Sequence, residues 1–462
     1  MRPAPLRPPA IPDLQGARVV VAGAARSGLA LARFLLGRGA RVTLSDARPL
    51  EALSPETTAL ASAGAALETG GHLEATFTSA DLVAVSPGVP LTLAPLAAAR
   101  ERGVRVVAEV EVASWFLEGM LVGITGSNGK STTTALLGHI LASAGLPAVA
   151  CGNLGTPLIE MTADDTPDRI YVVELSSFQL EGIETFRPRV AALLNLTPDH
   201  QDRYADSRAY YKAKARLFMN QKPADHAVLN QDDPEVLRLT SGLRSQRHLF
   251  SRRTPLEDGA CVRHGDLVLV EDGREEPVLP AGDLPLFGVH HQENVLAAIL
   301  MAHLIGVEAS DMAAPVRSFR GLPHRLERVR EIGGVAWFND SKATNVGATL
   351  QSLSSFAGGV VLILGGKDKG GAFADLAPLI RERVTHLVLM GAARETIRGQ
   401  LGDPVPTTLV DDMAGAVEAA HGAAKPGGVV LLAPACASFD QYSGFEARGL
   451  DFQRRVLALE EA

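Results

Sequence analysis

The chain has 462 residues, which at roughly 150 per domain is enough for about three domains, each with its own core. Lys and Arg number 44 against 52 Asp and Glu, and the resulting charge of −8 argues against a protein that coats nucleic acid or an anionic membrane surface. The three cysteines, Cys151, Cys261 and Cys436, are too few and too scattered for a disulfide framework or a structural zinc site, and no run of about 18 uncharged apolar residues predicts a membrane span.

A reducing, cytoplasmic setting fits this composition. The opening MRPAPLRPPAIP has arginines but lacks the apolar centre of a signal peptide, and reads as a short Pro-rich tail. From there a pattern repeats: an apolar, β-branched run, a turn rich in Gly, Ser, Asn or Asp, then a helical period. It predicts buried parallel strands in α/β domains. The first group of strands is 17–23, 41–46, 82–88 and 104–110; the second is 121–127, 170–177, 190–199 and 226–230. The stretch from about Leu243 to Leu284 reads as an antiparallel insertion. The third group is 335–341, 360–366, 386–391 and 429–435. Ligands of open parallel sheets bind at the carboxyl ends of the strands. The polar residues sit there: Asp46, Ser86, Glu174, Asn195 to His200, Asp340, Lys367 to Lys369 and Ser438. Three domains aimed at ligands in this way point to a multisubstrate enzyme.

The sharpest motif is 123-GITGSNGKSTTT-134, between a strand and a helix. Backbone N–H groups of such a loop cradle phosphates, Lys130 reaches the β- and γ-phosphates, and the Ser131 hydroxyl suits Mg²⁺. Ile124 stands where the usual first glycine belongs, and Gly126 is an extra one. In 170-IYVVELSSFQLE-181, Glu174 interrupts an apolar run; a metal ion or a buried arginine would each offset the cost of that carboxylate. In 194-LNLTPDHQDRY-204, His200 lies between Asp199 and Asp202, and by itself fits a second-layer or surface histidine as well as a metal ligand. Lys212 and Lys214 in 209-AYYKAKARLF-218 read, by composition, as a solvated basic helix face. The first loop, 20-VVAGAARSGLA-30, is only loosely G-x-G-x-x-G because Ala25 replaces the second glycine; with Asp46 after the next strand it leaves NAD binding open.

Read together and in order, GITGSNGKST, CGNLG, VVELSSFQLE, LNLTPDHQDRY, GLPHR, NDSKATN, LGGKDKGG and PACASFDQ resemble the Mur ligase family, from about Asp13 to about Arg448. NDSKATN is similar to the motif of those members that add D-glutamate; the Asn-Pro-Arg motif of the members that add diamino acids is not found. The resemblance implies an α/β protein of three Rossmann-like or doubly wound domains with mainly parallel sheets: a uridine-nucleotide binder (1–110), a central P-loop ATPase with a small antiparallel insertion (111–321), and an amino-acid-binding domain (322–462). It implies ATP-dependent addition of D-glutamate to UDP-N-acetylmuramoyl-L-alanine through an acyl phosphate, by a cytoplasmic monomer of peptidoglycan precursor synthesis with no nucleic-acid or membrane partner. Alternatives are another Mur ligase or a folylpolyglutamate synthase-like ligase, then an NAD-dependent oxidoreductase using the first glycine loop, then a nonenzymatic nucleotide switch.

The resemblance also carries roles onto residues. Gly126, Ser127, Asn128, Gly129, Lys130, Ser131 and Thr132 would hold ATP, with Asn294, His324, Arg325 and Asp340. Lys130, Glu174, His200 and Lys214 would be catalytic. Two Mg²⁺ ions would be held by Ser131, Glu174, His200 and Lys214, the last as a carbamate, which makes it an anionic oxygen ligand. Asp46, Arg48, Ser86, Pro87 and Gly88 would bind the uridine diphosphate, and Asn153, Ser176 and Gln179 the muramoyl-alanine part. Lys342, Thr344, Lys369, Ser438 and Phe445 fall on the D-glutamate side. In 290-HHQEN-294, His291 replaces the asparagine usual in the family.

Overall fold

The structure, a computed structural model, describes residues 13–200, 203–286 and 288–460. The Pro-rich tail and Asp202 lie outside the described residues. Those described cluster into two compact units, one within Met1–Asp283 and Glu293–Arg317, the other within Leu284–Gln292 and Ser318–Ala462. The fold is three-domain α/β, with one sheet for each domain.

The first sheet holds β1 (Arg18–Ala22), β2 (Arg41–Asp46), β3 (Ala66–Thr69), β4 (Leu82–Val85) and β5 (Arg105–Ala108) in the order β3-β2-β1-β4-β5, all parallel. Both faces are covered, as a parallel sheet requires. Val19 and Val21 enter one apolar cluster and Val20 and Ala22 the other, following the two-residue alternation of a strand. Helix α1 (Arg26–Gly37) packs tightly because a Cβ on Gly28 would come within 1.9 Å of the Gly23 carbonyl oxygen.

Helix α2 (Glu109–Ser114) leads to the central sheet and buries two carboxylates. Glu111 accepts from the Trp115 indole at 2.9 Å and from the backbone N–H groups of Glu184, Thr185 and Phe186 at 2.9, 2.7 and 2.8 Å. Glu109 accepts only from Ile159 N–H, at 2.7 Å, and its Oε2 has no partner. Burial pushes its pKa up to about 7 against that one hydrogen bond.

The central sheet contains β6 (Met120–Thr125), β7 (Ala148–Gly152), β8 (Ile170–Glu174), β9 (Val190–Leu193), β10 (His226–Asn230), β11 (Gln246–Ser251), β12 (Gly259–Arg263), β13 (Asp266–Glu271) and β14 (Arg274–Pro280). Its order is β14-β13-β12-β11-β10-β9-β6-β8-β7. The antiparallel part is narrower than the sequence predicts. β11 runs parallel to β10, and antiparallel pairing begins only between β12 and β13. The helix Pro234–Leu239 supplies the crossover that a parallel return needs. The helices of this region that matter for the site are α3 (Lys130–Ser143), α4 (Ser177–Glu181), α5 (Ser207–Ala215) and α6 (His290–Ile305).

The second unit holds β15 (Glu327–Ile332), β16 (Val335–Asn339), β17 (Val360–Gly365), β18 (Val384–Met390), β19 (Thr407–Leu409) and β20 (Val429–Leu432), ordered β15-β16-β20-β17-β18-β19, with α7 (Phe445–Leu457) closing the chain. Only β15 is antiparallel, joined to β16 through Gly333 and Gly334, both at positive φ as a two-residue hairpin turn demands. Leu362 and Leu364 face one apolar cluster, Val361 and Ile363 the other.

Candidate active site

The central site is built where three neighbouring strands end. Ile124 of β6 is in register with Glu174 of β8 on one side and Ala192 of β9 on the other, so the loops after the three strands converge. The loop after β6 is the phosphate motif. Its Ser127 N–H donates to Asn195 O and its Ser127 hydroxyl to Thr197 O, both at 2.9 Å, while Asn128 N–H donates to Asn195 Oδ1 at 2.8 Å. The two loops are thus laced together by these three hydrogen bonds. Gly129 has φ +82°, and a Cβ there would come within 2.1 Å of Asn294 Oδ1 from α6, so glycine is required twice over. Ser131 and Thr132 are buried at the start of α3.

Two lysines meet over this loop. Lys130 Nζ donates to Gly126 O and Ser127 O, each at 2.8 Å, and Lys214 Nζ donates to the same Gly126 O at 2.7 Å. Lys214 is 1 % exposed and lies 4.6 Å from the centre of the Tyr210 ring. Burial and the Lys130 charge hold its pKa well below the usual lysine value, opposed by Asp199 and Glu174. Lys212 is exposed. The expectation of a solvated basic face therefore holds for Lys212 and fails for Lys214, because two residues along a helix turn the side chain to nearly the opposite side.

Glu174, 2 % exposed, accepts from Asn153 Nδ2 through Oε1 at 2.7 Å, while its Oε2 is buried without a hydrogen-bond partner. Asn153 N–H also donates to Glu174 O at 2.9 Å. An unmatched buried carboxylate oxygen beside a phosphate loop fits a cation. His200 takes φ +53°, with its ring 4.8 Å from Phe178 and 5.7 Å from Tyr210. Among the described residues no three His, Cys, Asp or Glu side chains gather as a cation site; the expected set draws on a hydroxyl and a lysine as well. Ser176 and Gln179 are occupied with each other in a capping box at the start of α4: Ser176 N–H donates to Gln179 Oε1 at 2.9 Å and Gln179 N–H to Ser176 Oγ at 3.3 Å. The S-x-x-Q spacing announces that box in the sequence.

In the first sheet Asp46 and Arg48 form a fork. Asp46 Oδ1 accepts from Arg48 N and Nε, and Oδ2 from Arg48 Nη2 and Ala24 N, at 2.7 to 2.9 Å. Burial raises the Asp46 pKa, but these donors outweigh it and bring it to about 2. Four donors from its own chain saturate the carboxylate, which leaves no acceptor for a dinucleotide ribose. Ser86 Oγ donates to Gly23 O at 2.9 Å and closes the turn that carries Pro87 and Gly88.

The second unit gathers its own expected residues. His324, 6 % exposed, is at φ +63°, with Nδ1 2.9 Å from Asn339 Nδ2. Its ring fits because Gly449 has no side chain; a Cβ there would lie 2.2 Å from Nδ1. Lys342 Nζ sits 3.9 Å over the Phe445 ring, and Thr344 follows on the same turn. Asp340 is buried, and burial raises its pKa to about 6 against the Ser352 hydroxyl, Leu326 N–H and the Arg325 charge. Lys369 is exposed on a loop whose Asp368 caps Gly370 and Gly371 N–H at 2.9 Å, and Ser438 is buried at the turn after β20. Arg448 ties these turns together. It is 1 % exposed and donates to Ser341 Oγ and O at 3.0 and 2.9 Å and to Cys436 O at 3.1 Å, with longer contacts to Ala437 O and Gly365 O.

Family models match in three consecutive parts: the MurD-like N-terminal domain of Mur ligases over residues 17–108, the Mur ligase middle domain over 124–302, and the Mur ligase glutamate ligase domain over 324–436. The chain belongs to the Mur ligase family. Among Mur ligases it is 47% identical over 450 residues to the UDP-N-acetylmuramoylalanine–D-glutamate ligase of Geotalea uraniireducens, covering 97% of this chain and 99% of that one. The ligase of the same name from Anaeromyxobacter dehalogenans is 48% identical over 464 residues, covering 98% and 100%. Among solved structures, the Mur ligase MurC of Thermotoga maritima matches at a TM-score of 0.60 and 16% identity over 96% of this chain and 99% of that one. MurF of the same organism, in complex with ADP, matches at 0.59 and 16% over 97% and 99%. At that identity the likeness is one of fold. Among the described residues no helix is long and apolar enough to cross a membrane.

Proposed function

We propose that this Mur ligase is the ATP-dependent enzyme that joins D-glutamate to UDP-N-acetylmuramoyl-L-alanine in peptidoglycan precursor synthesis. The observation that carries the reading is near full-length identity of 47% and 48% to ligases of that name. The convergence of Lys130, Lys214 and Glu174 on one phosphate loop supports the ATP half of the reaction.

A carboxylate is a poor acylating agent, so the alanyl carboxylate first attacks the γ-phosphorus of ATP, whose bond to ADP breaks, giving an acyl phosphate and free ADP. The D-glutamate amine then attacks the acyl carbon, the C–N bond forms, and inorganic phosphate departs with the mixed anhydride's C–O bond. Loop N–H groups from Gly126 to Thr132 and the α3 N-terminus hold the phosphates, and Lys130 places a positive charge against them. Leaving Gly126 O for a phosphate oxygen costs Lys130 little, because Lys214 stays on that carbonyl. Glu174, Ser131, His200 and Lys214 would hold two Mg²⁺ ions, which when bound neutralise charge repelling the attacking carboxylate. Burial and the Lys130 charge lower the Lys214 pKa and so favour the neutral amine, the form that adds CO₂ with loss of a proton to become a carbamate. Arg48, held in place by Asp46, and residues 86–88 take the uridine diphosphate, and Asn153 the muramoyl-alanine. In the second unit Lys342, Thr344, Lys369, Ser438 and Phe445 take D-glutamate, whose two carboxylates the lysines match in charge.

The test is phosphate release from ATP with Mg²⁺ and UDP-N-acetylmuramoyl-L-alanine, comparing D-glutamate with L-glutamate, D-aspartate and diamino acids. Turnover confined to D-glutamate is expected. Turnover with a diamino acid instead moves the protein to a sister ligase.

A further inference from the structure

Arg203 sits in the DHQDRY motif, three residues after His200. Its guanidinium joins the first sheet's substrate turn to the central site. Nη1 donates to Pro87 O at 2.9 Å, and Nη2 to Val89 O and to Glu181 Oε2, both at 3.3 Å. Its central carbon lies 3.8 Å from the centre of the Phe178 ring, and the side chain is 14% exposed. Phe178 in turn meets the edge of the His200 ring at 4.8 Å and stacks on Tyr204 at 6.0 Å. The turn on the far side is itself rigid: Ser86 Oγ is bonded to Gly23 O at 2.9 Å, and Val89 N–H to Ser86 O at 3.0 Å.

Two carbonyls, a carboxylate and a ring face around one group demand a planar fork with several donors. Arginine provides it; a lysine ammonium cannot reach both carbonyls and stack at once. The fork is also a direct polar link between the turn that would hold the uridine diphosphate and the segment that carries His200. A shift of Pro87 and Val89 therefore moves the guanidinium, the Phe178 ring under it and the His200 ring against that.

We propose that Arg203 is a positioning residue that couples occupancy of the 86–89 turn to the placement of His200, so that the uridine-linked carboxylate substrate and Mg²⁺–nucleotide bind with positive cooperativity. The proposal rests on the roles given above to residues 86–88 and His200. Binding linkage is reciprocal, so either ligand reports it.

The experiment is calorimetric titration of a non-hydrolysable ATP analogue with Mg²⁺, with and without saturating UDP-N-acetylmuramoyl-L-alanine, on wild type, Arg203→Lys and Arg203→Met. The wild type is expected to bind the analogue at least about 5-fold tighter with the second ligand present, the Met variant less than about 2-fold tighter, and the Lys variant between them. If the Met variant does not fold, the Lys variant decides, with its thermal midpoint measured alongside. Wild-type coupling retained in a folded variant overturns the proposal, because a purely structural arginine would lower stability and leave the ratio alone. Absence of coupling in a wild type that binds both ligands overturns it as well. A wild type that does not bind the uridine-linked substrate at all overturns the functional reading beneath the proposal, and the proposal with it.

Discussion

Lys130 and Lys214, 84 positions apart in the chain, donate to one and the same oxygen, Gly126 O, at 2.8 and 2.7 Å. Burial and the neighbouring Lys130 charge both lower the pKa of Lys214. The carbamate proposed for Lys214 has a direct test. Exposure of the protein to ¹³C-labelled CO₂ is expected to give a carbamate resonance in the NMR spectrum that Lys214→Arg abolishes, with a loss of about 100-fold or more in phosphate release, the scale of removing a group that acts on the transition state. A carbamate signal that survives in the Arg variant would place the modification elsewhere.

Gly129 is expected to tolerate no side chain. Gly129→Ala combines a left-handed backbone with a Cβ driven to 2.1 Å from Asn294 Oδ1, so either the Asn294 side chain or the phosphate loop must shift. The KM for ATP should rise by about 10-fold or more, the equivalent of about 1.4 kcal/mol. The thermal midpoint should move little, because the loop sits at the end of the sheet. Initial rates at varied ATP measure the first, a melting curve the second.

Glu109 makes stability depend on pH. Its folded pKa, about 7, stands above the ordinary 4.5, so between those values the folded state holds a proton that the unfolded state has lost. Stability is full below about 4.5 and falls as pH rises toward 7, by on the order of 3 kcal/mol. Glu109→Gln keeps the acceptor for Ile159 N–H and removes the ionisation. Its urea midpoint should therefore exceed that of the wild type at pH 8 and converge with it near pH 4.5. Parallel curves across that range would count against the assignment.

Arg448 organises the turns of the second unit through neutral carbonyls and the Ser341 hydroxyl, and burial brings its pKa down to about 10. Arg448→Lys keeps a charge but cannot hold Ser341 and Cys436 together. The KM for D-glutamate is expected to rise by about 10-fold while the KM for ATP stays within about 2-fold, since each lost charged hydrogen bond is worth about 1.5 kcal/mol or more. Steady-state kinetics with each substrate varied in turn separates the two.

Much of this architecture is legible from residues alone. The apolar runs before Asp46, Glu174 and Asn195 end where β2, β8 and β9 end, and the glycine loop before Lys130 opens α3. What escapes is of two kinds. β3 and β7 are short edge strands, mostly half-exposed; ALET is broken by polar residues, and AVACG has only one β-branched residue among small ones. The other kind is contact across long separations. Nothing near Lys214 in the chain tells it from exposed Lys212, because what buries it is Gly126 and the central sheet. Arg203 is equally silent, its partners Pro87 and Val89 lying more than a hundred positions earlier.

The strands β6, β8 and β9 that carry the central site are adjacent in space but are separated by intervening helices and by β7 in the chain. Closing such distances is slow, and none of the three can present its loop usefully until the other two are paired. The phosphate loop after β6 is held by Asn195 and Thr197 of the loop after β9. Nucleotide affinity during refolding should therefore appear late and all at once, making a bound nucleotide a clock for the closure of the central sheet.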